Sequence, residues 1–331
     1  MEFHENNVIG YVSAVITRGP VTMSWCVFAA TAVVITLTTV VANVVALLAL
    51  WRVSRVPSHY PLMSLVTADL LVGTTVMPIG GARELFVFHL DKTLCSIWST
   101  LDVLGCTASI LSLCALGWER YRAVTSPLAQ RRDSAKYLAM LVWPVATIVA
   151  LLTAFIPTTE HHDPGKAQKA CTVNINVGYV FGSIMLSFYT PAVVMIVFYT
   201  KIIRSLAAPP PIRAHRGRSP DVRQLPNLNI LTRAAALIPP DAILDNFSVR
   251  QRRATMTILK LMTLFLVCWT PFFVMLPTDA LCTCVSDSVW MLCTWLGYMN
   301  SAINPMVYAV ASPRVRKALL GSHTSTTQTE R

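Results

Sequence analysis

The stretch 99–124 reads "STLDVLGCTASILSLCALGWERYRAV" and sets one carboxylate, Asp102, at the head of a run with no further charge until Glu119. A charged side chain at hydrocarbon depth costs at least ~2.5 kcal/mol on insertion scales, so a chain that keeps one there keeps it for a function and has a partner for it. Whether this stretch crosses a membrane therefore decides the fold, and what pairs with Asp102 decides the chemistry.

The surrounding chain is that of a membrane protein. Of its 331 residues 54% are hydrophobic and only 13% charged, and the mean hydropathy is +0.55. A span needs ~20 apolar residues to cross a ~30 Å hydrocarbon core. Seven such runs occur, at 25–50, 60–86, 94–118, 137–156, 177–199, 255–277 and 289–310. The composition thus predicts an all-α bundle of seven transmembrane helices occupying 25–310, after an N-terminal segment 1–24 and before a tail 311–331.

Seven spans put the termini on opposite sides, and charge chooses the side. With the N-terminus outside, only Arg18, Arg83, Lys92, Lys166 and Lys169 of the 27 Lys and Arg lie on the exterior, so the positive-inside rule orients the chain. The net charge of +11 has the same origin. Basic residues crowd the membrane ends without forming a compact basic domain, which argues against a nucleic-acid partner. The first span is expected to act as signal anchor, because 1–20 is polar and mixed.

Two loops are long. The outer stretch 157–176 contains "EHHDPGK", read as solvated loop residues because no fourth ligand stands at metal-site spacing. The inner stretch 203–251 contains "APPPIRAHRGRSP" and is expected to be mostly disordered, with an accidental sequon at Asn246. The tail begins with a short basic amphipathic piece from Pro313 to Leu320, suited to the inner membrane surface, and continues into a Ser/Thr cluster open to phosphorylation. Five cysteines, Cys26, Cys106, Cys114, Cys268 and Cys293, fall within spans and read as small buried apolar residues. Cys95 and Cys171 lie on the oxidising outer face, where a bridge can staple the loop to the bundle. Cys282 and Cys284 are close enough in sequence for a second bridge, at a cost in strain.

Within the third span Asp102, Cys106 and Ser109 recur at i, i+4 and i+7, one helical face. Arg120 follows eighteen residues after Asp102, about 27 Å along the axis. One rod therefore carries an outer ligand site and an inner partner site.

Further motifs stand on the other spans: "VVANVVALL" around Asn43, "SLVTADLLVG" around Asp69, "WERYRAV" around Arg120, Trp143, "SFYTP" ending at Pro191, "FLVCWTPFF" around Trp269, and "WLGYMNSAINPMVY" through Asn304, Pro305 and Tyr308. In this order the chain resembles the rhodopsin-like (class A) G-protein-coupled receptors, and within them the biogenic-amine receptors, over all but its termini and long inner loop. The resemblance implies a short eighth helix and no enzymatic activity. It implies that a protonated monoamine is the partner of Asp102, with Val103 and Cys106 beside it. Ser183 and Ser187 on the fifth span would meet ring hydroxyls, as in catecholamine-type receptors, the alternative being that they bond their own backbone or a neighbouring helix. Trp269, Phe272 and Phe273 would form an aromatic wall, closed by Trp295 and Tyr298.

The same resemblance pairs Cys95 with Cys171. It makes Glu119, Arg120, Tyr121, Leu128, Asn304, Pro305 and Tyr308 the residues of activation and G-protein coupling, with Glu119 standing where the family usually has Asp. No acid opposes Arg120 in "VRQRRATMTILK" at the base of the sixth span, so elevated basal signalling is expected. Asp69 with Ser109, Asn300 and Asn304 resembles the family's sodium site; sodium and a water-filled hydrogen-bond cluster are both open readings, and no other cofactor is implied. Expected partners are the monoamine, a heterotrimeric G protein, arrestin, receptor kinases and membrane lipid, at the plasma membrane. The lean toward a cyclic-AMP-raising G protein follows the likeness to adrenergic, octopamine and D1-like dopamine receptors, while "MPIGGARELF" and "SPRVRKALL" are similar to trace-amine receptors.

Rival classes fare worse. A retinal protein needs a Schiff-base lysine in the last span, and 289–310 has none. A transporter would show matching broken halves, which do not appear. A class A receptor for a non-amine ligand, or one signalling without ligand, is the remaining alternative.

Overall fold

A computed structural model describes residues 16–17, 21–52, 57–87, 92–126, 132–154, 177–207 and 240–311. Among them seven long helices follow in order. They are α1 (Met23–Arg52); α2 (His59–Leu71, a π-helical turn Val72–Val76, then Met77–Leu85); α3 (Lys92–Thr125); and α4 (Arg132–Ala154). Then come α5 (Val177–Ile184, a π-helical turn Met185–Tyr189, then Thr190–Ala207), α6 (Pro240–Cys282) and α7 (Asp287–Ala311). A two-residue antiparallel pair, β1 (Ile16–Thr17) with β2 (Phe86–Val87), ties the chain ahead of α1 to the outer end of α2.

Each apolar run coincides with one helix, but several helices continue past the apolar limits. The stretch read as an inner loop, 203–251, is a case of this: α5 occupies its beginning and α6 its end, taking in the sequon at Asn246. Backbone hydrogen bonding does not stop where hydrocarbon does. Arg204, Arg252 and Arg253 are exposed, so a helix that has left the apolar layer carries them at no desolvation cost. Cys171, Leu128, "EHHD", the basic piece from Pro313 and the Ser/Thr tail lie outside the described residues.

Six helices, α1 to α6, are long and apolar enough to cross a membrane. The seventh, α7, carries Asn300, Ser301 and Asn304, all buried, and packs along α1, α2 and α6. The central rod is α3, which packs on α2, α4, α5 and α6. Of its most apolar stretch 61% is buried, against 28% for α1 and 33% for α4, so α1 and α4 are peripheral. Their outer faces show Val33, Val34, Leu37, Met140, Ile148 and Leu152, side chains that only lipid would solvate. Cys26 belongs to that outer face: it is exposed, and the reading of it as a buried residue is corrected by the rotation of α1.

Two glycines set how closely the helices approach. A Cβ on Gly105 of α3 would lie 2.4 Å from Cγ2 of Val72, in the π-helical turn of α2. On Gly297 of α7 it would lie 2.8 Å from the Trp269 indole. A third device joins α1 to α7. Pro305 has no N–H, so the carbonyl of Ser301 loses its α-helical donor; Asn43 Nδ2 donates to it at 2.9 Å.

Candidate ligand cavity and inner switch

Between α2, α3, α5, α6 and α7 lies a cavity of about 150 Å³. Asp102, Val103 and Cys106 reach it from α3, Ser183 and Ser187 from α5, Trp269, Phe272 and Phe273 from α6, and Trp295 and Tyr298 from α7. Helical periodicity had put these residues on separate faces, and the fold turns those faces to one space.

The surroundings of Asp102 are specific. Tyr298 donates its hydroxyl to Oδ2 at 3.2 Å, and the Cys106 thiol donates to Oδ1 at 3.6 Å. Among the described residues no cation stands within ion-pair distance of this carboxylate. Arg83, the one outer cation that sequence reasoning set against Asp102, is buried, donates to Glu84 Oε1 at 3.2 Å, and lies 5.0 Å above the Trp98 ring.

The aromatic wall is continuous. Trp269 meets Phe272 edge to face at 5.8 Å and Tyr298 at 6.3 Å, and Trp295 meets Tyr298 at 5.7 Å. Phe273 stacks on Phe188 of α5 at 4.0 Å. Ser183 and Ser187 line the cavity but donate to their own helix, to the carbonyls of Val180 at 3.0 Å and Ser183 at 2.7 Å. Their hydroxyl hydrogens are committed, and what they offer the cavity is lone pairs.

Several lining residues were missed. Trp98 stands at i−4 from Asp102 and Trp290 at i−8 from Tyr298, so helical spacing from the two anchors would have found both. Thr107 lines the cavity, is 2% exposed, and its hydroxyl makes no hydrogen bond among the described residues. Asp279 was missed as well. Its carboxylate accepts from the Val285 amide and from Trp290 Nε1, both at 2.9 Å, and so holds the α6–α7 corner and one wall of the cavity. The adjacent Cys282 and Cys284 are bridged. Cys95 is disulfide-bonded at the start of α3.

Below the cavity, Asp69 is fully buried. Ser109 donates to Oδ1 at 3.2 Å and Asn304 Nδ2 to Oδ2 at 2.9 Å. Asn300 is 1% exposed, and among the described residues neither its amide oxygen nor its amide nitrogen has a hydrogen-bond partner; the Asn304 oxygen has none there either. A carboxylate, a hydroxyl and uncommitted amide oxygens form a hard-donor set of the kind that fits sodium.

At the inner end Glu119 is buried and the Arg120 guanidinium donates to Ser58 Oγ at the head of α2, a contact the sequence reading did not include. Tyr121 faces α5, with Lys201 Nζ 5.5 Å from its ring. Tyr308 is buried, and its hydroxyl has no hydrogen-bond partner among the described residues.

A seven-helix bundle with a charged, aromatic-walled outer cavity and an arginine at the inner end of its central helix is the architecture of a seven-transmembrane receptor. The profile of the family described as "7 transmembrane receptor (rhodopsin family)" matches residues 42–308, and the chain belongs to that family, whose members are receptors and not enzymes. Among its relatives, the 5-hydroxytryptamine receptor 1D of Cavia porcellus is 31% identical over 86% of this chain and 85% of its own length. Dopamine receptor 1 of Drosophila melanogaster is 29% identical over 84% of this chain, and the alpha-1D adrenergic receptor of Rattus norvegicus 31% over 86%. The chain spans only 58% and 55% of those two relatives.

Proposed function

We propose that the chain is a plasma-membrane receptor for a biogenic monoamine, with its N-terminus outside. The observation that carries this reading is the state of Asp102: a carboxylate facing an aromatic cavity, held by two neutral donors and by no cation among the described residues. A protonated amine completes it. Aromatic faces around the site favour the same charge. A cavity of about 150 Å³ is the size that elsewhere takes one benzene ring, which suits a small ring-bearing amine better than a peptide. At the far side Ser183 and Ser187 present lone pairs and Thr107 an uncommitted hydroxyl, so the matching ring substituent is a hydrogen-bond donor such as a phenol or an indole N–H. The relatives named for serotonin, dopamine and adrenergic ligands support the same ligand class.

Signal leaves at the inner end through a heterotrimeric G protein. Ligand binding biases a two-state bundle, and Arg120, Tyr308 and Tyr121, with Leu128 on the inner loop, would line the cavity that the G protein enters. The cyclic-AMP-raising partner follows the adrenergic and D1-like likeness. Arrestin and receptor kinases would act on the inner loops and the Ser/Thr tail, and lipid would hold the basic piece from Pro313. Asp69, Ser109, Asn300 and Asn304 would hold a sodium ion, which would supply the countercharge of a buried acid in the resting state. The outer loop would be stapled by Cys95 and Cys171.

The test is a panel of monoamines on cells expressing the receptor, with cyclic AMP and calcium both read. Removing one partner of a desolvated charge pair costs ~2–5 kcal/mol. Asp102→Asn should therefore lower the potency of an active amine by roughly 30-fold or more at unchanged surface expression, because Asn still accepts from Tyr298. Unchanged potency in that variant defeats the amine reading; an agonist-driven fall in cyclic AMP, or a calcium response alone, defeats the choice of G protein.

A further inference from the structure

Pro277 stands in the outer turn of α6. Having no N–H, it leaves the carbonyl of Phe273, four residues earlier, without its α-helical donor. That carbonyl is not left bare. The phenol of Tyr189, in the π-helical turn of α5, donates to it at 3.1 Å. The same solution appears on the opposite side of the bundle, where Asn43 of α1 serves the Ser301 carbonyl that Pro305 orphans. In each case a proline creates an acceptor that a neighbouring helix must satisfy, and inside a membrane an unmet carbonyl has no water to turn to.

The residues around this tie belong to the ligand cavity. Two positions before Tyr189 is Ser187, and Phe273 itself is a cavity wall stacked on Phe188, Tyr189's neighbour. We propose that Tyr189 is a positioning residue: its hydroxyl stands in for the amide that Pro277 lacks and fixes the distance between the α5 serines and the α6 aromatic wall. Tyr189 does not line the cavity, so it acts on ligand through Ser187 and Phe273. Its effect on ligand rests on the amine reading above, whereas the tie itself does not.

The test is a four-protein cycle on the full-length receptor: unaltered, Tyr189→Phe, Pro277→Ala, and the pair together. The Pro277→Ala change restores an amide that closes onto the Phe273 carbonyl. In purified receptor, Tyr189→Phe should lower the melting temperature by about 2–4 °C when Pro277 is present and leave it unchanged in the Pro277→Ala background. In cells, Tyr189→Phe should reduce the potency of tyramine, which carries a ring hydroxyl, by about three- to tenfold. Phenethylamine, which lacks the hydroxyl and needs no α5 contact, should lose less than half of that effect, and both losses should vanish in the Pro277→Ala background. Equal effects of Tyr189→Phe in both backgrounds, or loss of folded receptor in both, overturn the tie. If the melting cycle behaves as stated and no member of the monoamine panel activates any of the four proteins, the tie stands and the amine reading falls.

Discussion

Asp102 and Asp69 are carboxylates on neighbouring helices, and their surroundings separate their roles. Asp102 faces a cavity and is contacted by one phenol and one thiol, whereas Asp69 is sealed among Ser109, Asn304 and the uncommitted amide of Asn300. Sodium and water make different demands on the second site. If sodium binds there, it stabilises the folded receptor in proportion to the logarithm of its concentration above Kd. The melting temperature of purified receptor should then rise by about 2–5 °C when N-methylglucamine chloride is replaced by sodium chloride, and Asp69→Asn should remove the rise. A melting curve indifferent to the cation points to the water-filled cluster instead. Both acids were legible as isolated charges on apolar runs. Their immediate partners were only in part legible: Ser109 and Asn304 carry polar groups that invite pairing, but nothing in the spelling of α7 says that Tyr298 reaches Asp102, and nothing in that of α2 says that Arg83 turns to Glu84 and away from Asp102.

Helix faces follow periodicity, but helix distances are set by the smallest residues on those faces. Gly297 shows this, because the Trp269 indole occupies the space a Cβ would need, 2.8 Å away. An indole is rigid and is packed against Phe272, Phe273 and Tyr298, so it cannot yield as a flexible chain end would. Gly297→Ala should therefore cost ~1–3 kcal/mol as overpacking. It should also weaken amine potency, because Trp269 is pushed into the cavity; a melting temperature and potency equal to the unaltered receptor's would show that α7 simply moves aside. The π-helical turns at Val72–Val76 and Met185–Tyr189 were not anticipated. Each widens one turn of its helix, and a count in steps of 3.6 residues loses phase there. The length of α6 was also underestimated, since an apolar run marks only the part of a helix that lipid covers.

Signalling is a property of the whole bundle. Arg120 donates to Ser58 of α2, and the stretch 252–260 of α6 offers exposed Arg252 and Arg253 and contains no acid. Among the described side chains Arg120 makes no ion pair to α6, and a resting state without one is less strongly favoured over the active one. With the cyclic-AMP-raising partner proposed above, basal cyclic AMP should accordingly rise in proportion to receptor density without added ligand, and Arg120→Ala should abolish the rise. A flat basal level beside a robust agonist response would reject the constitutive component alone.

Seven apolar runs and the faces bearing Asp102, Asp69, Arg120 and the α6 aromatics follow from residue type and helical spacing, because hydrocarbon thickness and the 3.6-residue turn are the same for every membrane helix. Which faces meet is another matter. The Tyr298–Asp102 and Tyr189–Phe273 hydrogen bonds, the Arg120–Ser58 contact, and the exposure of Cys26 depend on how each helix is rotated, tilted and locally widened against its neighbours. Those angles are set jointly by glycine contacts, proline-orphaned carbonyls and π-helical turns on several helices at once, so no single stretch of chain encodes them.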